Sequence, residues 1–225
     1  MRSGKLVYGV GINDADYHVH RSINGKREWV CNYYKTWADM LQRCYSEAKH
    51  KRRPTYKDCE VFREWLTFSK FKEWMEYQDW DNKELDKDLI KAGNREYCPE
   101  YCVFIHSKVN SFTIDSGSVR GNSLIGTSWH KRDLVFQAYC NNSFVRRTRE
   151  HLGYFTDEIQ AHLVWKSRKR ELAIQLANSE YVTDERVAQA LINRYQGDGV
   201  YIDAVNNNIP VEEFLLNREQ YLSKV

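Results

Sequence analysis

Between Asp86 and Asn110 the chain carries several side chains able to act on a phosphodiester: two carboxylates, Asp86 and Asp88, with Lys87, His106 and Asn110. Carboxylate and amide oxygens are hard ligands that suit Mg²⁺ or Mn²⁺. A histidine titrates near neutrality and can take a proton from water. A lysine cannot, since its ordinary pKa near 10.4 must fall by roughly three units before it becomes a base. As a cation it can still stabilise a phosphate transition state. Asp86 and Asn110 stand 24 residues apart, at the end of a strand and on the following helix, a spacing that can bring a carboxylate and an amide oxygen together on one ion. The same letters also read as an edge strand with solvated charges and an asparagine that caps a helix.

The elements that must position these residues are a strand at "LDKDL", a polar loop holding Asn94, a second apolar run at "CVFI" and a helix start carrying Asn110. Upstream, "YHVHRSINGKREWVC" is a hairpin signal, because Asn24-Gly25 supplies the positive φ angles of a type I′ turn. "YKTWADMLQRCYSEA" places Trp37, Leu41, Cys44 and Tyr45 at helical spacing, and the basic loop "KHKRRPTY" ends that helix before Pro54. "CEVFREWLTFSKFKEWMEYQDW" concentrates large apolar side chains in one or two short helices, and these are core residues first.

With "YKTWADMLQRCY", "PTYKDCEVFREWLTFSKFKEW" and "LDKDLIKAGNREYCPEYCVFIHSKVN", the segment from about Tyr33 to Asn110 resembles the HNH-type homing-endonuclease relatives common in bacteriophage genomes. The resemblance implies a degenerate ββα-metal frame and hydrolysis of DNA with one Mg²⁺ or Mn²⁺. It implies Asp86 and Asn110 as metal ligands and Asn94 as the residue that orders the loop between the strands. It also puts Lys87 where such enzymes have their base histidine. Two neighbours could replace that base, His106 at the helix start and Asp88 beside the metal carboxylate. The alternative is an inactive HNH-like protein that binds DNA or regulates through a partner.

A second constellation lies in "GTSWHKRDLVFQAYC" and "HLGYFTDEIQAHLVWKSRK", which resemble the APETALA2-type DNA-binding module. Gly126, Trp129, Ala138, Leu152-Gly153, Phe155 and Ala161 fall where that family has turn, core and helix positions. Phe136 departs from its usual tryptophan, and Asp133 interrupts the basic wing. The resemblance implies a three-stranded sheet with one helix, and a sheet face can lie in the major groove of double-stranded DNA. His130, Lys131, Arg132, Gln137 and Tyr139 are the candidates for groove contacts. Arg146, Arg147 and Arg149 are expected to hold the phosphate backbone, which gives affinity and salt dependence without reading sequence.

The 225 residues carry a net charge of only +3, but that charge is unevenly placed. Ten Lys/Arg face four acids from Val119 to Arg170, whereas four bases face eight acids from Asn178 to Val225. A polyanion is therefore expected to meet the middle of the chain, and the acidic tail to meet a protein partner. Ser- and Gly-rich "SFTIDSGSVRGNS" marks a boundary. The expected organisation is an α+β chain: an HNH-like part with its hairpin at 1–112, a linker at 113–122, the sheet module at 123–177 and an acidic helical tail at 178–225. Within these, "TDEIQAHLVWKSRKRELAIQLA" is a helix capped by Thr156, and the tail holds helices near Thr183–Tyr195 and Val211–Tyr221.

No apolar run reaches the roughly 20 residues of a membrane span and no signal peptide is legible, so the protein is expected in the cytoplasm of a host cell. In that compartment the six cysteines read as reduced, buried thiols. Only Cys98 and Cys102 are close in sequence, so structural zinc is not expected.

Overall fold

The computed structural model describes residues 6–114, 123–145 and 148–195. The chain is α+β and divides into two compact units, residues 1–106 and 107–225. The division falls earlier than the Ser/Gly-rich stretch, because the helix that follows "CVFIH" packs with the second unit.

In the first unit, β1 (His20–Ile23) and β2 (Lys26–Val30) form an antiparallel hairpin. Its turn holds Asn24 and Gly25 at φ of 51° and 74°, the left-handed region that an Asn-Gly pair adopts with least strain. Helix α1 (Asn32–Tyr45) buries Trp37, Met40, Leu41 and Cys44, one stripe at i, i+3, i+4 and i+7. The basic stretch after it, expected as a loop, is instead a short helix, α2 (Glu47–Arg52), because Ser46 accepts the Lys49 N–H and caps it. None of the α2 residues is buried.

A 3₁₀ turn over Arg63–Leu66 leads into α3 (Phe68–Glu76). Their aromatic residues join α1 in one core, where the rings of Trp65, Phe71 and Trp74 meet at centroid distances of 4.5 to 5.7 Å. The Trp37 indole donates to the Trp65 carbonyl at 2.7 Å, which satisfies a polar group inside that core. Burying so many large rings supplies roughly 2 kcal/mol for each side chain before entropy is charged.

Among the described residues, four further strand segments belong to the unit. Strand β4 (Lys83–Asp86) pairs antiparallel with β6 (Val103–His106). The loop between them returns to the body through β5 (Glu96–Tyr97), which runs parallel to β3 (Glu60–Val61).

The second unit opens with α4 (Ser107–Thr113) and contains the antiparallel sheet β7 (Thr127–His130), β8 (Val135–Asn142) and β9 (Thr148–Phe155), in the order β7-β8-β9. Helix α5 (Glu158–Ala177) covers one face of the sheet. Its cap is Asp157, not Thr156: the carboxylate accepts the Ile159 N–H at 2.9 Å and also suits the positive end of the helix. Gly126 shows how tightly α5 sits. At φ 84° it faces Trp165, and a Cβ there would come within 2.0 Å of the indole.

Helix α6 (Glu185–Arg194) buries Val187 and Leu191 against α5. The first half of the acidic tail is therefore part of the second unit, and its apolar face is already occupied. The helix expected near Val211–Tyr221 lies outside the described residues. Among the described residues, no helix is long and apolar enough to cross a membrane. All six cysteines are buried and free.

Candidate functional site

The Asp86 carboxylate is built into a turn. It ends β4, and its Oδ1 accepts the N–H groups of Asp88 at 2.9 Å and Leu89 at 2.7 Å. Burial pushes its pKa above the ordinary carboxylate value and the nearby Asp88 adds to the rise, while the two N–H groups oppose it. Its Oδ2 accepts no hydrogen bond from the described residues, so one oxygen can meet a cation.

Lys87 does not project into solvent; only 7% of it is exposed. Its Nζ donates to Asp88 Oδ2 and to the Asn94 carbonyl, each at 2.9 Å. Asn94 answers from the other side of the loop. Its Nδ2 donates to the carbonyls of Lys87 at 2.7 Å and Glu96 at 2.6 Å, and its Oδ1 accepts the Glu96 N–H. Lys87 and Asn94 thus hold the loop in one shape by reciprocal bonds. That work commits the Lys87 side chain and one oxygen of the otherwise exposed Asp88.

His106 is placed elsewhere. In the β4–β6 ladder Asp86 opposes Val103 and His106 opposes Lys83. Three residues of strand separate them, about 10 Å at the usual rise, and the odd offset puts their side chains on opposite faces of the pair. The first unit therefore does not bring His106 to Asp86. Asn110 lies on α4 in the second unit. Among the described residues, no three His, Cys, Asp or Glu side chains gather as a metal site. Asp86 fits a Mg²⁺ or Mn²⁺ ion only in the manner of sites with one or two carboxylates, where water and substrate phosphate complete the shell.

The sheet of the second unit brings more of its candidates together. On β8, Ala138 and Cys140 are buried on the α5 side, so Gln137, Tyr139 and Asn141 occupy the opposite face; there Asn141 is exposed and Tyr139 half-buried, but Gln137, expected to contact a groove, is buried. The register adds His130 from β7, with Arg149, His151 and Tyr154 from β9. These side chains form a continuous layer. Arg149 lies 4.0 Å over the Tyr139 ring, Tyr139 meets His151 at 5.0 Å, and His151 meets Tyr154 at 4.7 Å. The Tyr139 hydroxyl donates to Gln137 Oε1 at 2.7 Å, which orients the amide.

The β7–β8 turn presents Lys131 and Arg132, and Asp133 takes Arg132 through two contacts at 2.7 and 3.2 Å. His130 Nδ1 lies 3.2 Å from the same carboxylate without hydrogen-bond geometry. Asp133 thus competes with any phosphate for the basic wing. Arg146 and Arg147 lie outside the described residues. Sequence reading missed Asn141, His151 and Tyr154; alternation out from Tyr139 finds Asn141 and from Arg149 finds His151, whereas Tyr154 shares their face only through the register shift opposite Ala138 and Tyr139, which local spacing does not show.

Comparison with protein families, curated proteins and solved structures finds no match to this chain. The two sites stand on their own geometry.

Proposed function

We propose that the protein binds double-stranded DNA through the open face of the β7–β8–β9 sheet. The observation that carries this reading is the layer of Arg149, Tyr139, His151 and Tyr154 on a face that no helix among the described residues covers, flanked by the basic β7–β8 turn. Rings on a sheet can cover sugars while basic groups hold phosphates, and the buried Gln137 amide supports this layer by holding the Tyr139 hydroxyl. Arg149, stacked on Tyr139, is already held in place before a phosphate arrives, which lowers the entropy cost of contact.

The test is binding of a blunt duplex, followed by fluorescence anisotropy over a salt series. Lys131→Glu combined with Tyr154→Ala alters two side chains of this surface. The pair is expected to weaken the complex about tenfold and to flatten its salt slope. Equal affinity for wild type and variant, both folded, removes the assignment.

A second reading adds cleavage. The free Oδ2 of Asp86, on a loop held rigid by Lys87 and Asn94, favours a divalent ion at a phosphate. In this reading the protein is a phage-type HNH endonuclease, and with the base position filled by Lys87 the remaining first-unit candidate beside Asp86 is Asp88. If Asp86 holds no ion, the same framework describes a DNA-binding or regulatory protein without catalysis.

A further inference from the structure

A pocket of about 620 Å³ lies where β8 runs on past the start of β7. Its walls come from the end of α4, the start of β7, β8, β9, α5 and the end of α6, all within the second unit. Four cations line it, Arg149, Lys166, Lys169 and Arg194, and no acid among the described residues does. The acids on adjoining elements are engaged: Glu150 and Glu171 with Arg168, and Glu158 with the Thr127 hydroxyl and the Leu124 N–H. Among the described residues, no acid pairs with Lys169 or Arg194, so positive charge is concentrated at those two side chains.

Lys169 is the clearest sign. Its Nζ sits 3.4 Å over the Phe112 ring and 5.9 Å from the centre of Tyr195. Burial, opposed by the Cys140 thiol and aided by the approach of Arg194, lowers its pKa to about 8. A desolvated cation whose neighbours are rings and another cation is costly to the free protein, and an anion entering the pocket relieves that cost. Arg194 is engaged only lightly, by one 3.4 Å bond to the Thr113 carbonyl.

The rest of the lining is aromatic as well as polar. Tyr139, Tyr195 and His162 border the space, and the His162 ring is fixed by its Nδ1 donating to the Ile125 carbonyl at 2.8 Å. Rings beside cations suit a flat base joined to a phosphate, since stacking and charge then act on one ligand. The volume lies within the range of small-ligand pockets.

We propose that this pocket binds a nucleoside monophosphate unit, with Lys169 and Arg194 on the phosphate and the ring walls against the base. The unit can be a free nucleotide or an unpaired nucleotide of a strand; the chemistry recognised is the same. This inference does not need the duplex reading, although Tyr139 and Arg149 border both surfaces.

The experiment is calorimetric titration of the full chain with a deoxynucleoside 5′-monophosphate, its nucleoside, inorganic phosphate, and duplexes with blunt or unpaired ends. The monophosphate is expected to bind at least about tenfold more tightly than inorganic phosphate or the nucleoside, because each of those keeps only half of the recognition. Lys169→Gln with Arg194→Gln is expected to weaken it about tenfold or more and to leave the blunt duplex within twofold. Arg194→Gln alone, a change at the surface, shows the same direction in a protein whose fold is unaltered.

Preference for the unpaired-end duplex over the free monophosphate identifies the strand as the source, and the reverse identifies the free nucleotide. The proposal is overturned if the monophosphate and the unpaired end give no binding beyond that of phosphate, or if both variants bind them as wild type does. A wild-type chain that binds the monophosphate but not the blunt duplex counts against the open sheet face instead.

Discussion

At the scale of single residues, Asp86 does two things that a substitution can separate. Its Oδ1 holds the turn through the N–H groups of Asp88 and Leu89, whereas only its charge and second oxygen suit a cation. Asparagine keeps the amide oxygen that a turn of this kind requires, and alanine does not. Asp86→Asn is therefore expected to melt close to wild type, and Asp86→Ala to lose about 1 kcal/mol of stability. If the protein cleaves DNA with Mg²⁺ or Mn²⁺, both variants lose cleavage; a cleaving Asp86→Asn protein would sink the metal role while leaving the turn in place. The sequence made some of this legible. Asn24-Gly25 announces its turn because few other pairs accept positive φ, and Asp86 stands out by its place at a strand end. Lys87 and His106 were not legible in the same way, since burial of a lysine and the register of a strand pair are set by distant partners that local spacing does not encode.

At the scale of elements, the basic helix α5 is tied to the sheet by charge as well as by packing. Arg168 reaches β9 with two bonds to the Glu150 carboxylate, at 2.7 and 3.1 Å, and turns its third nitrogen to Glu171. This fork and a bond from Asn142 hold the Glu150 pKa down to about 2, against an ordinary value of 4.5. Because the folded value is the lower one, the stabilisation is complete above about pH 4.5 and is lost as pH falls from there towards 2. After allowance for solvent screening it amounts to about 1 kcal/mol. Arg168→Ala is expected to lower the melting temperature at pH 7 by a few degrees and to abolish most of the difference at pH 2. A variant whose deficit is the same at both values would show that α5 is lost for packing reasons instead. The "KSRKRE" tract reads from sequence as an exposed helix face, and here one of its arginines is a cross-element bridge. Periodicity identified the helix, but α5 touches both β8 and α6, so its buried positions follow no single stripe.

At the scale of the whole molecule, the separation of charge along the chain sets how a polyanion is met. Residues 196–225 carry five acids and two bases, so removing them takes the formal charge from +3 to +6. Helix α6 ends at Arg194, so a chain stopped after Tyr195 keeps α6 and its burial of Val187 and Leu191. A change in distant charge acts on DNA through the field of the molecule, and that field is screened within about 10 Å at 0.1 M salt. The shortened protein is therefore expected to bind a blunt duplex several-fold more tightly at low ionic strength, through a faster association rate, and to match the full chain at high salt. Association rates measured by stopped-flow across a salt series decide the matter. A gain that persists at high salt would mean that the acidic segment acts by contact at the basic sheet or pocket, where screening has little reach. No change at any salt would mean that its charge lies too far from the DNA path to be felt.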